Sequence, residues 1–338
     1  MTFLGIIGLF GSMILSACAE TPSTTQPVPA VVLESGKLSV LVYLPDPQNG
    51  HYRGTRFDWS GMINKAQFDS MTFWDEWNPS DDPTGDHDNA TGPVLEFGMK
   101  SPLGFEEAKP LEGFIKIGVG VLQKPDDGQP YFFRRPYRIL DTGDWSVTVS
   151  EDRKQVSFRQ KLQYHGWGYE YSKTVRLDAQ KLLIGCRLEN IGQNPIVTDV
   201  YNHNFLRPDS RGFEPPIRIE FDRPIRFDDK ARIPDSIEIN QSSDTLRVTK
   251  STTNSVWFPI SINSSDPAKS FTLRKGKLQL TVSHDFTPAK YVFFAIPEVI
   301  SVEPFLDIDL PPGRTLTWTY QYLFRTDAEG YQTRSDYK

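Results

Sequence analysis

From residue 38 onward the chain alternates apolar and polar residues with a period of two. Leu38, Val40, Val42 and Leu44 set the pattern, and it returns over residues 146–149, 155–163, 171–177, 217–221, 256–262, 278–284, 291–296 and 315–324. A period of two places successive side chains on opposite faces of an extended strand, so each run buries one face of a sheet. Clusters of Gly, Pro, Asn and Asp separate the runs, and 24 Gly and 26 Pro supply the turns. The pattern predicts an all-β fold, one large antiparallel β-sandwich with long loops. A single short helix is expected over residues 62–68. The 338 residues suggest about two domains by length, but all-β folds often run this long as one unit. The polar, acidic stretch 75–98 (Asp81, Asp82, Asp86, Asp88) has little periodicity. It reads as an excursion over one sheet face rather than a metal loop, because it lacks EF-hand spacing.

The N-terminus speaks to the compartment. Residues 3–15 are apolar but too short to span a bilayer, and they end in Leu15-Ser16-Ala17-Cys18. This segment resembles the lipobox of bacterial lipoproteins, although no Lys or Arg precedes the apolar run. The resemblance implies a signal peptide over residues 1–17, a lipidated Cys18 and an anchor in the bacterial cell envelope. Ala19 and Glu20 favour the outer membrane. Residues 18–33, rich in Pro and Thr, read as a tether. Residues 34–326 read as the folded domain and 327–338 as a polar tail. The other cysteine, Cys186, sits in the run Leu182-Leu183-Ile184-Gly185-Cys186-Arg187-Leu188, where it behaves as a small apolar residue of a buried strand.

A net charge of −6 argues against nucleic acid or an anionic membrane surface as partner. The lipid anchor is the one membrane contact expected. Five scattered His and no Cys/His spacing give no zinc site, and no metal or cofactor is expected. Oligomeric state is not legible.

Two distant segments carry acid/base chemistry. Tyr201-Asn202-His203-Asn204-Phe205 and Ser301-Val302-Glu303-Pro304-Phe305 each set one titratable group among aromatic and apolar neighbours. An imidazole and a carboxylate facing one substrate donate and accept protons on its two sides. Between Asn49-Gly50 and Gly61 lie Arg53, Arg56, Asp58 and Trp59, two guanidinium forks and an indole suited to a polar ring. Tyr164-His165-Gly166-Trp167-Gly168-Tyr169 adds an aromatic loop with a second imidazole, and either Trp167 or Tyr169 is a stacking surface. His51, His87 and His284 have no supporting context.

Asn202-His203-Asn204-Phe205 resembles the Asn-His-x-x-Phe segment of aldose 1-epimerases. Val302-Glu303-Pro304 with Leu310-Pro311-Pro312-Gly313 is similar to that family's C-terminal Glu-Pro segment and turn. The resemblance implies a galactose mutarotase-like supersandwich acting on a carbohydrate. It makes Glu303 the base for the anomeric hydroxyl and His203 the acid for the ring oxygen, and it favours Arg56, then Arg53, as the substrate arginine. Trp59, His165, Tyr169 and Asn202 are further substrate-binding candidates. The chain departs from the family at Gly113-Phe114-Ile115-Lys116-Ile117-Gly118-Val119-Gly120, where a second histidine is usual. Either Lys116 replaces that group, or the substrate differs, for example by carrying a carboxylate.

Two other classes stand beside this one. A carbohydrate-binding lipoprotein would need the pocket but no acid/base pair. A lyase or hydrolase on a related sandwich would need a second carboxylate, for which Asp58 and Asp307 are available.

Overall fold

The computed structural model describes residues 27–326, apart from 79–81, 86–89, 213, 228–232, 252 and 264. The signal segment, Cys18, most of the tether, His87, Asp81, Asp86, Asp88 and the C-terminal tail lie outside the described residues. Among those described, strands dominate, every pairing between them is antiparallel, and the single helical element is the 3-10 turn Pro208–Ser210. The expected all-β sandwich is what the chain forms. A ten-stranded sheet and a six-stranded sheet hold most of the structure, and sheets of four and three strands flank them.

The alternation seen in sequence is the alternation of burial. The strand Gln155–Tyr164 buries Val156, Phe158, Gln160 and Leu162, and Val256–Ile262 buries Val256, Phe258 and Ile260. The inner faces of the two large sheets meet in one core, with Val200, Phe258, Phe293 and Val302 from one side and Leu188, Leu280, Val282 and Tyr320 from the other. Each such side chain contributes about 1.5–3 kcal/mol on burial. Cys186, in the strand Lys181–Asn190, is 5% exposed, and burial pushes its thiol up to about 12.

Three expectations are corrected. Residues 62–68 are not a helix, since Ile63–Phe68 is a strand between Leu38–Tyr43 and Met71–Trp74. Register shifts at Leu41/Val42 and Ala66/Gln67 break its period of two, so apolar residues fall at 63, 66 and 68 and mimic a helical spacing. Residues 30–33 are not tether, since Ala30–Ser35 pairs with Leu38–Tyr43 and buries Val31 and Leu33. The acidic excursion ends in a true strand, Val94–Phe97, which forms one edge of the six-stranded sheet and pairs with Ile196–His203. All four of its residues are buried, and a strand covered on both faces shows no alternation to read.

Candidate functional site

The outer face of the six-stranded sheet gathers the polar chemistry. Its central strands pair Tyr201 with Phe305 on one side and with Glu96 on the other, so Glu303, Phe305, Tyr201, His203, Val94 and Glu96 point the same way. His203 Nε2 lies 3.2 Å from Glu303 Oε1, and each residue is 4% exposed. The His203 ring stacks on Phe205 at 3.6 Å, with Phe294 edge-on at 5.0 Å and Phe57 edge-on at 5.9 Å. Burial in these aromatic walls pushes the Glu303 carboxyl up to about 8; Arg56 and the Ser301 hydroxyl pull against the shift.

A second buried cluster adjoins the pair. Arg56 Nε donates to Glu96 Oε2 at 2.8 Å, and Arg56 Nη2 donates to the Tyr201 hydroxyl at 2.9 Å. That hydroxyl donates to Glu96 Oε2 at 2.5 Å. Lys116 Nζ meets Glu96 Oε1 at 3.2 Å and also donates to the Gly98 carbonyl and the Tyr131 hydroxyl. Burial alone would raise the Glu96 carboxyl, but Arg56, Lys116 and Tyr201 outweigh it and hold it below its usual range. For Lys116 burial wins over the same ion pair, and its ammonium is depressed. Arg56 stays firmly protonated, because Glu96 and Tyr201 outweigh its desolvation. Its guanidinium lies between two rings, 4.4 Å from the centroid of Phe57 and 4.6 Å from that of Phe133.

Local sequence explains the roof over this cluster. The loop from Tyr52 to Gly61 is tied down by the Tyr52 hydroxyl, which accepts from the amides of Arg56 and Phe57. The Asp58 amide donates to the Leu95 carbonyl, fixing the loop to the sheet edge. The Asp58 side chain turns the other way. It accepts from Lys173 at 3.2 Å, from Tyr171 at 3.0 Å and from the Ser60 hydroxyl, all inside the core. It is a structural counter-ion and no partner to Glu303. Asp307 is exposed, opposite Asp199 on the neighbouring strand.

The structure thus brings together His203, Glu303, Arg56 and Lys116, and it disperses the other candidates. Trp59 is 3% exposed and donates its indole N–H to the Gly54 carbonyl, so it packs and offers no free face. Tyr169 is fully buried and donates to Gln160 Oε1 at 2.6 Å. Asn202 points into the core, where it meets the Tyr322 hydroxyl; its neighbours in sequence, Tyr201 and His203, point outward because strand residues alternate. Arg53 sits near Asp46 and Asp82. His165 stacks on Tyr164 at 4.1 Å at the exposed tip of the hairpin joining Gln155–Tyr164 to Trp167–Asp178, on the ten-stranded sheet.

Sequence reasoning missed Glu96, Tyr201 as a ligand of Arg56, and Tyr131. Glu96 had a signal: a lone carboxylate in Val94-Leu95-Glu96-Phe97 has the same grammar as Glu303 in its own segment. Two open clefts, of 510 and 340 Å3, meet at Trp167. Neither sets an acid against a base, as the closed His203–Glu303 face does. Among the described residues no group of three or more His, Cys, Asp or Glu is placed to hold a metal ion.

The sheet arrangement is that of the galactose mutarotase-like β-sandwiches. A putative aldose 1-epimerase from Escherichia coli K12 is similar in structure with a TM-score of 0.55 at 13% identity, over 89% of this chain and 100% of that one. A galactose mutarotase related enzyme from Lactobacillus acidophilus is similar with a TM-score of 0.55 at 11% identity, over 88% and 98%. A galactose mutarotase-like protein from Lactobacillus casei ATCC 334 gives 0.51 at 13%, over 88% and 100%. At these identities the likeness establishes the fold. No family model matches the sequence, and no curated protein does.

Proposed function

We propose that this protein interconverts the anomers of a free sugar or of an oligosaccharide reducing end. The observation that carries the reading is the buried imidazole–carboxyl contact, His203 Nε2 to Glu303 Oε1 at 3.2 Å, on a face that also holds an arginine. A pyranose entering there separates the two groups and takes one on each side. The Glu303 carboxylate removes the anomeric hydroxyl proton while His203 protonates the ring oxygen. The C1–O5 bond breaks as the C1 carbonyl forms, the C1–C2 bond rotates, and the reverse transfers close the other anomer. A carboxyl lifted to about 8 is a stronger base than an ordinary carboxylate once it is ionised. Arg56, held by Glu96 and Tyr201, positions the sugar hydroxyls.

Exchange spectroscopy tests the reading. Glu303→Gln is expected to abolish anomer exchange while sugar binding persists, and normal exchange in that variant would sink the assignment. A second reading, sugar binding without turnover, draws on the closure of the site: the pair is in contact and Arg56 is already bonded to Glu96 and Tyr201. Calorimetry that detects binding while the wild-type protein leaves the exchange rate unchanged favours it.

The proposed place of action is the bacterial cell envelope, with Cys18 carrying the lipid. The support is the Leu15-Ser16-Ala17-Cys18 motif. Detergent-phase partitioning of the protein from cells checks it, since Cys18→Ser is expected to move the protein to the aqueous phase.

A further inference from the structure

The outer face of the six-stranded sheet is covered unevenly. Toward Glu96 it is roofed, with Phe133 over Arg56 and Tyr131 over Lys116. Beyond Glu303 the same face continues across Lys290–Ala295 and Val256–Ile262, the second of which carries an indole 57% exposed, that of Trp257, before the edge strand Ile225–Phe227.

Register fixes which way that indole points. Ser301 pairs with Phe294 and Phe294 with Trp257, so the three share a face, as do Glu303, Val292 and Pro259 one step along. Phe294 reaches the His203 ring edge-on at 5.0 Å. Trp257 is therefore the next side chain outward from the wall of the acid/base pair. It lies two strand spacings, about 10 Å, from the strand that carries Glu303.

A Trp left half in water is unusual, because its large apolar surface favours burial. The face of an indole carries negative charge density, which suits the polarised C–H bonds on the flat side of a pyranose. Pro259 beside it adds a flat apolar surface, and the exposed Ser261 adds a hydroxyl.

We infer that Trp257 is the stacking platform for the second sugar of an oligosaccharide whose reducing end lies at Glu303. The inference rests on the proposed anomer exchange for its orientation. It narrows the substrate class from free sugars to chains of at least two units. The occupant follows from continuity: Phe294, which touches the His203 ring, and Trp257 stand side by side on the face that carries Glu303.

Two measurements test it. The first is isothermal calorimetry of Glu303→Gln titrated with maltotetraose, cellotetraose and xylotetraose, against glucose and xylose. At least one tetrasaccharide is expected to bind more tightly than its monosaccharide. Adding Trp257→Ala is expected to weaken that binding about three- to tenfold, and Trp257→Phe to restore most of it. Equal affinity for chain and monomer, or no effect of Trp257→Ala, overturns the platform. The second is anomer exchange by wild-type protein and Trp257→Ala. The variant is expected to raise KM for the tetrasaccharide with kcat and the monosaccharide rate unchanged, and a fall in kcat on both substrates overturns the platform. Chain binding that depends on Trp257 in a protein without exchange keeps the platform and removes the catalytic reading, so the two fail separately.

Discussion

His203 and Glu303 come from strands that are not neighbours in sequence, yet Nε2 and Oε1 stand 3.2 Å apart with 5% of each side chain exposed. A carboxyl in that setting is held by its surroundings more than by any one partner. Desolvation is the largest influence on Glu303, and it favours the protonated form.

Stability should record that cost. The Glu303 carboxyl titrates at 4.5 in the open chain and at about 8 when folded. Between those values the folded state keeps a proton that the unfolded state has lost, so stability falls as pH rises through this window. Glu303→Gln has no such proton to lose. Its Tm is expected to match wild type at pH 4 and to exceed it at pH 8.5, by on the order of 2–4 kcal/mol in unfolding free energy. Thermal melts at the two pH values check this, and a pH-independent difference contradicts it.

The same shift shapes activity. A base must be ionised to accept a proton, and kcat/KM reports the free protein. For anomer exchange it is expected to be bell-shaped, because the base Glu303 must be ionised while the acid His203 is protonated, with one limb following the Glu303 carboxyl near about 8. A profile flat from pH 6 to 9 excludes Glu303 as the base.

Glu96 pairs with both Arg56 and Lys116. Glu96→Gln leaves buried Arg56 and Lys116 without the carboxylate they are bonded to and is expected to cost about 3–5 kcal/mol. Lys116, already depressed by burial, then falls further. Because a depressed lysine makes stability rise with pH up to its unfolded value, the deficit should narrow between pH 6 and pH 10. Paired melts of wild type and variant across that range read it directly.

The Asp58–Lys173 ion pair joins the Arg56 loop to the ten-stranded sheet at 3.2 Å, inside the core. Lys173→Met is expected to destabilise by about 3–5 kcal/mol, with kcat retained well below Tm. Loss of kcat without loss of stability would return Asp58 to the reaction.

Cys186 is buried, and burial pushes its thiol up to about 12. It is expected to resist iodoacetamide in the native protein and to react at once in denaturant. Mass spectrometry of the alkylated peptide separates the two states.

Alternation and turn residues were enough to read the sandwich, because a strand with one covered face writes its burial pattern into the sequence. Gln155–Tyr164 and Val256–Ile262 show this directly. Strands that depart from the rule were misread or missed: Ile63–Phe68, whose bulge imitates helical spacing, and Val94–Phe97, buried on both faces. The second omission hid Glu96, since a carboxylate in a loop and one at the centre of an ion-pair cluster look alike in one dimension.

The sequence by itself determined the strand-rich fold and marked His203, Glu303, Arg56 and Lys116, because each stands out chemically from its local run. Only the tertiary structure decided that Arg56, from a loop, and Lys116, from the three-stranded sheet, meet His203 and Glu303 over one face of the six-stranded sheet, while Trp59, Tyr169 and Asn202 turn inward and His165 lies on another sheet. The reason is geometric. Local sequence sets which residues of a strand share a face, but strand order and register set which distant faces meet, and those follow from packing the two sheets into one core.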